Sequence, residues 1–258
     1  MEKIVFEHFV TGGTESKGYL PLLEMCSVPM HPGENPEDSP FGIVMKRRIM
    51  GEYKDICTDN YYIAYNEEKC LSRLWTGWGK HKDSIGNFGH FLTLPECRGK
   101  GIGREVLKMW IKDMKERPDA PVALFCTASP EIAEIYRPYG FREALPNQKG
   151  GPLYMPIGNS PETFNDFCEE YFKPSDTLVH KKATLEYRHE VDCLLRFAFS
   201  LKGLGFTMGE SYYIEEYLVR CPERVGFLFS NDGHCVGWSL DDEKKIYPLY
   251  ENAEIIEE

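Results

Sequence analysis

The 258-residue chain has no CxxC pair, no apolar run as long as a membrane span, and no surplus of basic residues. Each absence excludes something. The nine cysteines (Cys26, Cys57, Cys70, Cys97, Cys126, Cys168, Cys193, Cys221 and Cys235) are odd in number and lack metal-ligand spacing. That argues against a disulfide framework and against a zinc site. Scattered thiols suit a reducing cytoplasm. Without a stretch of about 20 apolar residues, no transmembrane helix is expected. The opening MEKIVFEHFV, with Glu2, does not read as a secretory signal. Lys and Arg number 30 against 41 Asp and Glu, a net charge of -11. That balance speaks against nucleic acid or an anionic membrane as the main partner. It is compatible with an amine-bearing substrate, and more simply with plain solubility.

What is present is an ordinary globular composition, 42% hydrophobic and 28% charged, enough for one large domain or two smaller ones. KIVFEHF alternates as a first strand. ESKGYLPLLEMC is a short helix candidate interrupted by Gly18 and Pro21. Pro29, Pro32, Pro36 and Pro40 mark a long loop, and FGIVMKRRIMGEY after it is a helix candidate. NYYIAYNEEKCLSRLWTGWG reads as a hairpin turning at NEEK, and SIGNFGHFLTL as a third strand ending at Pro95. GIGREVLKMWIKDMKERP places Ile102, Val106, Leu107, Trp110, Ile111 and Met114 on one helix face. PVALFCTAS is a buried strand. Ser129 and Pro130 open a further helix that Pro138 and Gly140 stop, and GPLYMPI is another strand. After Ser160 the pattern changes to helices over SPETFNDFCEEYF, ATLEYRHEVDCLLRFAFSLKGLG and ESYYIEEYLVRCPE. A hairpin over RVGFLFSNDGHCVGWSL turns at NDG. The acidic tail DDEKKIYPLYENAEIIEE is expected to be partly mobile.

The densest chemical signal is LTLPECRGKGIGREVL, residues 92–107. A strand, a glycine-rich turn and a helix follow in that order. Such a turn is either a solvated loop or a nest of backbone N–H groups for an anion, aided by the helix N-terminus. Gly99, Gly101 and Gly103 leave the backbone approachable, and Arg98, Lys100 and Arg104 add positive charge. A diphosphate is the natural guest. The spacing fits neither GxGxxG nor GxxxxGK[ST].

The run RGKGIG matches R/Q-x-x-G-x-G/A. With its flanking strand and helix it resembles the coenzyme A pyrophosphate loop of the GNAT superfamily of N-acetyltransferases. Further along, VALFCTASPEIAEIYRPYGF supplies a buried strand, then Ala133, Tyr136, Gly140 and Phe141, similar to that family's second helix with its YxxxGF pattern. The resemblance covers about Tyr61 to Ile157. It implies that Leu92, Thr93 and Leu94 pair with the pantetheine arm and that one N–H of this strand polarises the thioester carbonyl. It implies that residues 98–104 (Arg98, Gly99, Lys100, Gly101, Ile102, Gly103 and Arg104) hold the diphosphate. Tyr136 is then the acid that protonates the leaving thiolate.

This sequence departs from the family at three places. Pro130 stands where an Asn often contacts pantetheine, leaving Ser129 as a substitute. Pro138 shortens the helix after Tyr136. Asn87 occupies the region where some members carry a catalytic Glu, so the base is unassigned. Plainer readings accompany the rest. His90 reads as a hydrogen-bonded strand histidine opposite Phe91 and Thr93, Cys97 as a small filler, and Trp75 and Trp78 as sheet packing. Glu34, Glu37 and Asp38 read as a solvated acidic loop that also suits an amine. His234 and Cys235 lack metal-ligand spacing.

The expected fold is α/β: a GNAT-like mixed, splayed sheet flanked by helices over residues 1–157, with a smaller helical-plus-hairpin region over 158–258. The expected function is acetyl transfer from acetyl-CoA to a primary amine of a small molecule or peptide, by direct attack in a ternary complex and without metal. A homodimer is compatible with this reading. The alternative is a non-catalytic acyl-CoA-binding regulatory module. A third reading, aminoacyl transfer on the same fold, would need a basic tRNA-binding surface that the net charge does not supply.

Overall fold

The computed structural model describes residues 3–12, 15–26, 35, 37–204, 214, 216–241 and 243–258, with the backbone alone at 40–41. Pro29, Pro32, Glu34 and Pro36, and residues 210–213 and 215 of the helix read over ESYYIEEYLVRCPE, lie outside the described residues. The chain divides into two compact units, Met1–Lys80 with Asn87–Ala120 and His81–Gly86 with Pro121–Glu258.

The first unit contains β1 (Val5–Val10), α1 (Tyr19–Met25), α2 (Pro40–Ile49), β2 (Cys57–Tyr65), β3 (Cys70–Gly79), most of β4 (Ile85–Thr93) and α3 (Ile102–Glu116). Its strands are ordered β1-β2-β3-β4. β1 and β2 pair antiparallel with Val5 opposite Tyr65, and β2 and β3 with Tyr61 opposite Trp75. Gly18 and Pro21 do not interrupt α1. Gly18 takes its N-cap position, and Pro21 falls in the first turn, where an N–H has no helical partner to lose. Ser39 caps α2 by accepting from Gly42 N–H at 3.0 Å, with Pro40 at the first helical position. α3 buries Ile102, Val106, Leu107, Trp110 and Met114.

β4 carries an irregularity that sets the phase of everything after it. His90 has φ 52°, a left-handed conformation in mid-strand. Phe88 packs on Trp110 of α3 at 4.7 Å between ring centroids. A Cβ on Gly89 would lie 3.6 Å from Trp75, and the His90 ring meets Trp75 edge-on at 5.8 Å. Two successive residues thus face Trp75, the mark of a bulge. Alternation then resumes: Phe91 and Thr93 lie against Gly103 of α3, while Leu92 and Leu94 pack on the cluster of Met25, Tyr61 and Trp75.

The second unit contains β5 (Ala123–Ala128), α4 (Pro130–Tyr136), β6 (Arg142–Glu143), β7 (Gly151–Pro156) and α5 (Phe164–Tyr171), followed by β8 (Thr177–Lys182), α6 (Arg188–Cys193), a π-helical segment (Leu194–Ala198) and α7 (Phe199–Leu201). β9 (Val225–Phe229), β10 (Cys235–Leu240), β11 (Glu243–Ile246) and β12 (Glu254–Glu257) complete it. The start of β4, then β5, β7 and β6, lie side by side in that order. β5 and β7 pair antiparallel, and Val122 N–H donates to Ser84 O at 3.0 Å. Phe125 and Tyr154 share one core with Phe164, Phe167, Phe197 and Phe227.

A five-stranded sheet of order β11-β10-β9-β8-β12 follows. The acidic tail therefore differs from the expectation of a partly mobile segment. β11 pairs antiparallel with β10, and β12 lies parallel to β8 with Ile255 opposite Leu178. Tyr247 and Tyr250 of the same segment are buried. The long helix read over 183–205 is broken into a 3₁₀ turn, α6, the π segment and α7. Eight of the nine free cysteines are buried, Cys221 less so. Among the described residues no helix is long and apolar enough to cross a membrane.

Candidate active site

The glycine-rich turn begins where β4 ends. Leu94 N–H donates to Leu71 O at 3.0 Å, and the Thr93 and Ser72 hydroxyls are 2.9 Å apart, so Ser72 is opposite Thr93 and Arg73 opposite Leu92. In an antiparallel pair alternate residues turn their N–H and C=O away from the partner. The Thr93 carbonyl is of that kind, and it accepts from Arg98 Nε at 3.1 Å. Pro95–Cys97 forms a single 3₁₀ turn that buries Cys97, a filler as its surroundings predict. Arg98, Gly99, Lys100, Gly101 and Arg104 are exposed, while Ile102 is buried and anchors α3.

Gly99 and Gly101 have φ 73° and 78°, and no atom lies within 4 Å of where their Cβ atoms would stand. Those glycines are required by conformation rather than by crowding. Gly101 is the N-cap of α3 and offers no side-chain cap; the first i to i−4 bond runs from Glu105 N–H to Gly101 O. The N–H groups of Ile102, Gly103 and Arg104 therefore precede the helical ladder. Gly103 is different. A Cβ there would stand 2.8 Å from Thr93 Oγ1 and 3.1 Å from Phe91, so its absence lets α3 lie close on β4. The arrangement is an open backbone cradle with three flanking cations at a helix N-terminus, which is what a diphosphate binds.

In the second unit, Ser129 is the N-cap residue of α4, but its side chain does not cap the helix. Its hydroxyl turns to Glu131, whose carboxyl is held below its ordinary value by a backbone N–H and by that hydroxyl. Gly150 passes so close that a Cβ would stand 2.6 Å from Pro130 N. Tyr136, in the last turn of α4, is buried and packs on Phe141 at 5.9 Å. Burial, then the neighbouring Cys126, raise its phenol above the ordinary value, so it keeps its proton at neutral pH. Pro138 sits in the 3₁₀ turn that follows, and Gly140 ends it at φ 112°.

The polar residues on the α1 side of the first sheet carried no strong sequence signal. Asp59 is fully buried, and its Oδ1 accepts from Arg48 Nη1 at 2.7 Å and from Trp75 Nε1 at 2.8 Å. Arg73 is 3% exposed and donates from Nη1 to Met25 O at 2.6 Å. The available signal was a charge inside an otherwise apolar strand, CLSRLWTGWG. His90 lies on this face, opposite to Phe91 and Thr93 as alternation requires. Burial, then the charges of Arg73 and Arg48, hold it well below its ordinary value, and the ring is neutral. Trp75 and Trp78 are buried. Glu37 accepts from Lys46 at 3.4 Å, and Asp38 accepts from Asn35 at 2.5 Å. Among the described residues no group of three metal-ligating side chains is assembled.

Residues 44–152 match the family described as Acetyltransferase (GNAT) domain. Over that span, less than half of its length, the chain is similar to a GNAT-type acetyltransferase domain. No curated protein matches the chain. Solved structures similar to this chain include Escherichia coli ElaA, 13% identical, over 59% of this chain and 99% of that one at a TM-score of 0.41. Arabidopsis thaliana Naa50 in complex with the bisubstrate analogue CoA-Ac-MVNAL is 13% identical over 60% and 99%, with a TM-score of 0.40. An acyl-CoA N-acyltransferase from Pseudomonas aeruginosa is 12% identical over 58% and 99%, with a TM-score of 0.41.

Proposed function

We propose that the protein transfers the acetyl group of acetyl-CoA directly to a primary amine within a ternary complex. The observation that carries this reading is the turn from Arg98 to Gly101, with its two left-handed glycines, open space above them, and a helix N-terminus that no side chain caps. In this reading Arg98, Gly99, Lys100, Gly101, Ile102, Gly103 and Arg104 hold the diphosphate. Leu92, Thr93 and Leu94 align the pantetheine arm, and Ser129 contacts it.

The amine nitrogen attacks the thioester carbonyl, the C–S bond breaks, and the amide forms. The nitrogen gives up a proton to water, the departing thiolate takes one from the Tyr136 hydroxyl, and solvent returns a proton to the tyrosinate. Tyr136, neutral and buried, is suited to hold that proton until the sulfur needs it. The work of the protein is positioning and polarisation, so it needs no metal.

The test is free-thiol release from acetyl-CoA in the presence of amino acids, polyamines, aminoglycosides and peptides. Thiol release dependent on one amine class supports the reading. CoA binding without release across the whole panel would replace it with a regulatory acyl-CoA-binding module, the reading that Asn87, standing where a base is often found, keeps alive.

A further inference from the structure

We propose that Arg73 is the recognition site for a carboxylate on the acceptor, so that the amine acetylated here belongs to an amino acid or a similar amine bearing a nearby carboxylate. This deepens the acetyl-transfer reading and rests on it.

Arg73 is 3% exposed. An arginine so buried is ordinarily paired with an acid, because taking an unpaired charge out of water is costly. Its partners are instead neutral: the Met25 carbonyl at 2.6 Å and the thiol of Cys26. Its Nε–H has no acceptor, and no carboxylate pairs with it, among the described residues. Arg48, on the same face and equally buried, shows the ordinary solution with Asp59 at 2.7 Å. Asp59 cannot serve both. It stands opposite Gly77 while Arg73 stands opposite Ile63, four positions apart and so roughly 13 Å along the strand. Met25 ends α1, and the helix C-terminus offsets only a fraction of one charge.

A second buried donor is also left over. The Tyr61 hydroxyl has no partner among the described residues, and Asp59, Arg48, Cys26 and Arg73 surround it closely enough to act on its ionisation. The neutral His90 adds no competing charge. A carboxylate supplies what this face lacks, one negative charge and two acceptor oxygens. A sugar or a polyamine would leave the Arg73 charge uncompensated. The position also suits an acceptor: Arg73 lies opposite Leu92, in the strand assigned to the thioester end of the donor.

The test compares amino acids with their own carboxamides as acceptors in wild type, Arg73→Met, Arg73→Lys and Tyr61→Phe, with CoA affinity measured in each. The expected wild type favours the acid over the amide at least 10-fold in kcat/KM. Arg73→Met should bring that ratio to near 1 by raising KM for the acid, with CoA affinity kept. Arg73→Lys should restore part of the preference, and Tyr61→Phe should reduce it. Equal use of acids and amides by wild type would overturn the proposal, as would CoA binding with no transfer to any acid. A preference unchanged in Arg73→Met alongside a lowered melting temperature would make Arg73 a cap for α1 and nothing more. If Arg73→Met does not fold, the wild-type ratio and Tyr61→Phe decide. Loss of CoA binding by wild type itself would overturn the acetyl-transfer reading instead.

Discussion

His81 Nε2 and Glu190 Oε1 lie 2.8 Å apart, joining positions 109 residues distant in the chain. Glu190 is 1% exposed, and the same oxygen accepts from Ile85 N–H at 2.8 Å. Burial pulls the imidazole down, but the hydrogen bond and charge of Glu190, with Glu186 and Asp83, outweigh it, and the net position is above 6.5.

The pH dependence of stability follows from that shift. A basic group raised in the folded state contributes fully below its unfolded pKa of about 6.5 and loses the contribution as pH rises through the raised value. His81→Gln should therefore cost about 1–3 kcal/mol near pH 6 and progressively less in alkaline solution. Denaturant unfolding of both proteins from pH 6 to 9 checks this; a pH-independent difference would mean that the ring acts by packing on Tyr187 alone.

Gly101→Asp should abolish CoA binding while leaving the fold intact. The new side chain enters open space, and Asp is one of the few side chains that visit the left-handed φ of 78° held here, at a modest conformational cost, but it brings negative charge to the helix N-terminus where the phosphates are to sit. Calorimetry should show a loss of roughly 100-fold or more, which is about 2.7 kcal/mol or more. Unchanged affinity would remove the foundation of the proposed function.

Tyr136→Phe should lower turnover roughly 100-fold with little change in CoA affinity, because it removes one proton donor and keeps the buried ring. Full activity would assign protonation of the thiolate to another group.

Asp59→Ala should destabilise the protein by about 3–5 kcal/mol, since it strands the Arg48 guanidinium without a partner. Replacing both residues, Arg48→Met with Asp59→Leu, should recover much of the loss. Thermal unfolding of the single and double variants is the check.

The elements legible in the sequence were those whose signal is local. β2 and β3, α3, β5 and α4 announce themselves by alternation, by a helical stripe or by Pro130 at a helix start. β11 and β12 do not. EKKI and EIIE are short and largely charged, and β12 has its partner in β8, more than seventy residues earlier. No local pattern encodes a parallel pairing at that distance. At the candidate site Gly99 and Gly101 were legible because conformation alone demands them. Arg73 was not, because its oddity lies in what fails to pair with it, and that is known only once Asp59 has been placed beside Arg48.

The left-handed turn at His90 acts as a one-residue phase shifter. Because side chains alternate, removing a single residue there would exchange the two faces of the strand beyond it. Thr93 would leave Ser72 and Gly103 and face the α1 side, and Leu92 would be carried away from Arg73 onto α3.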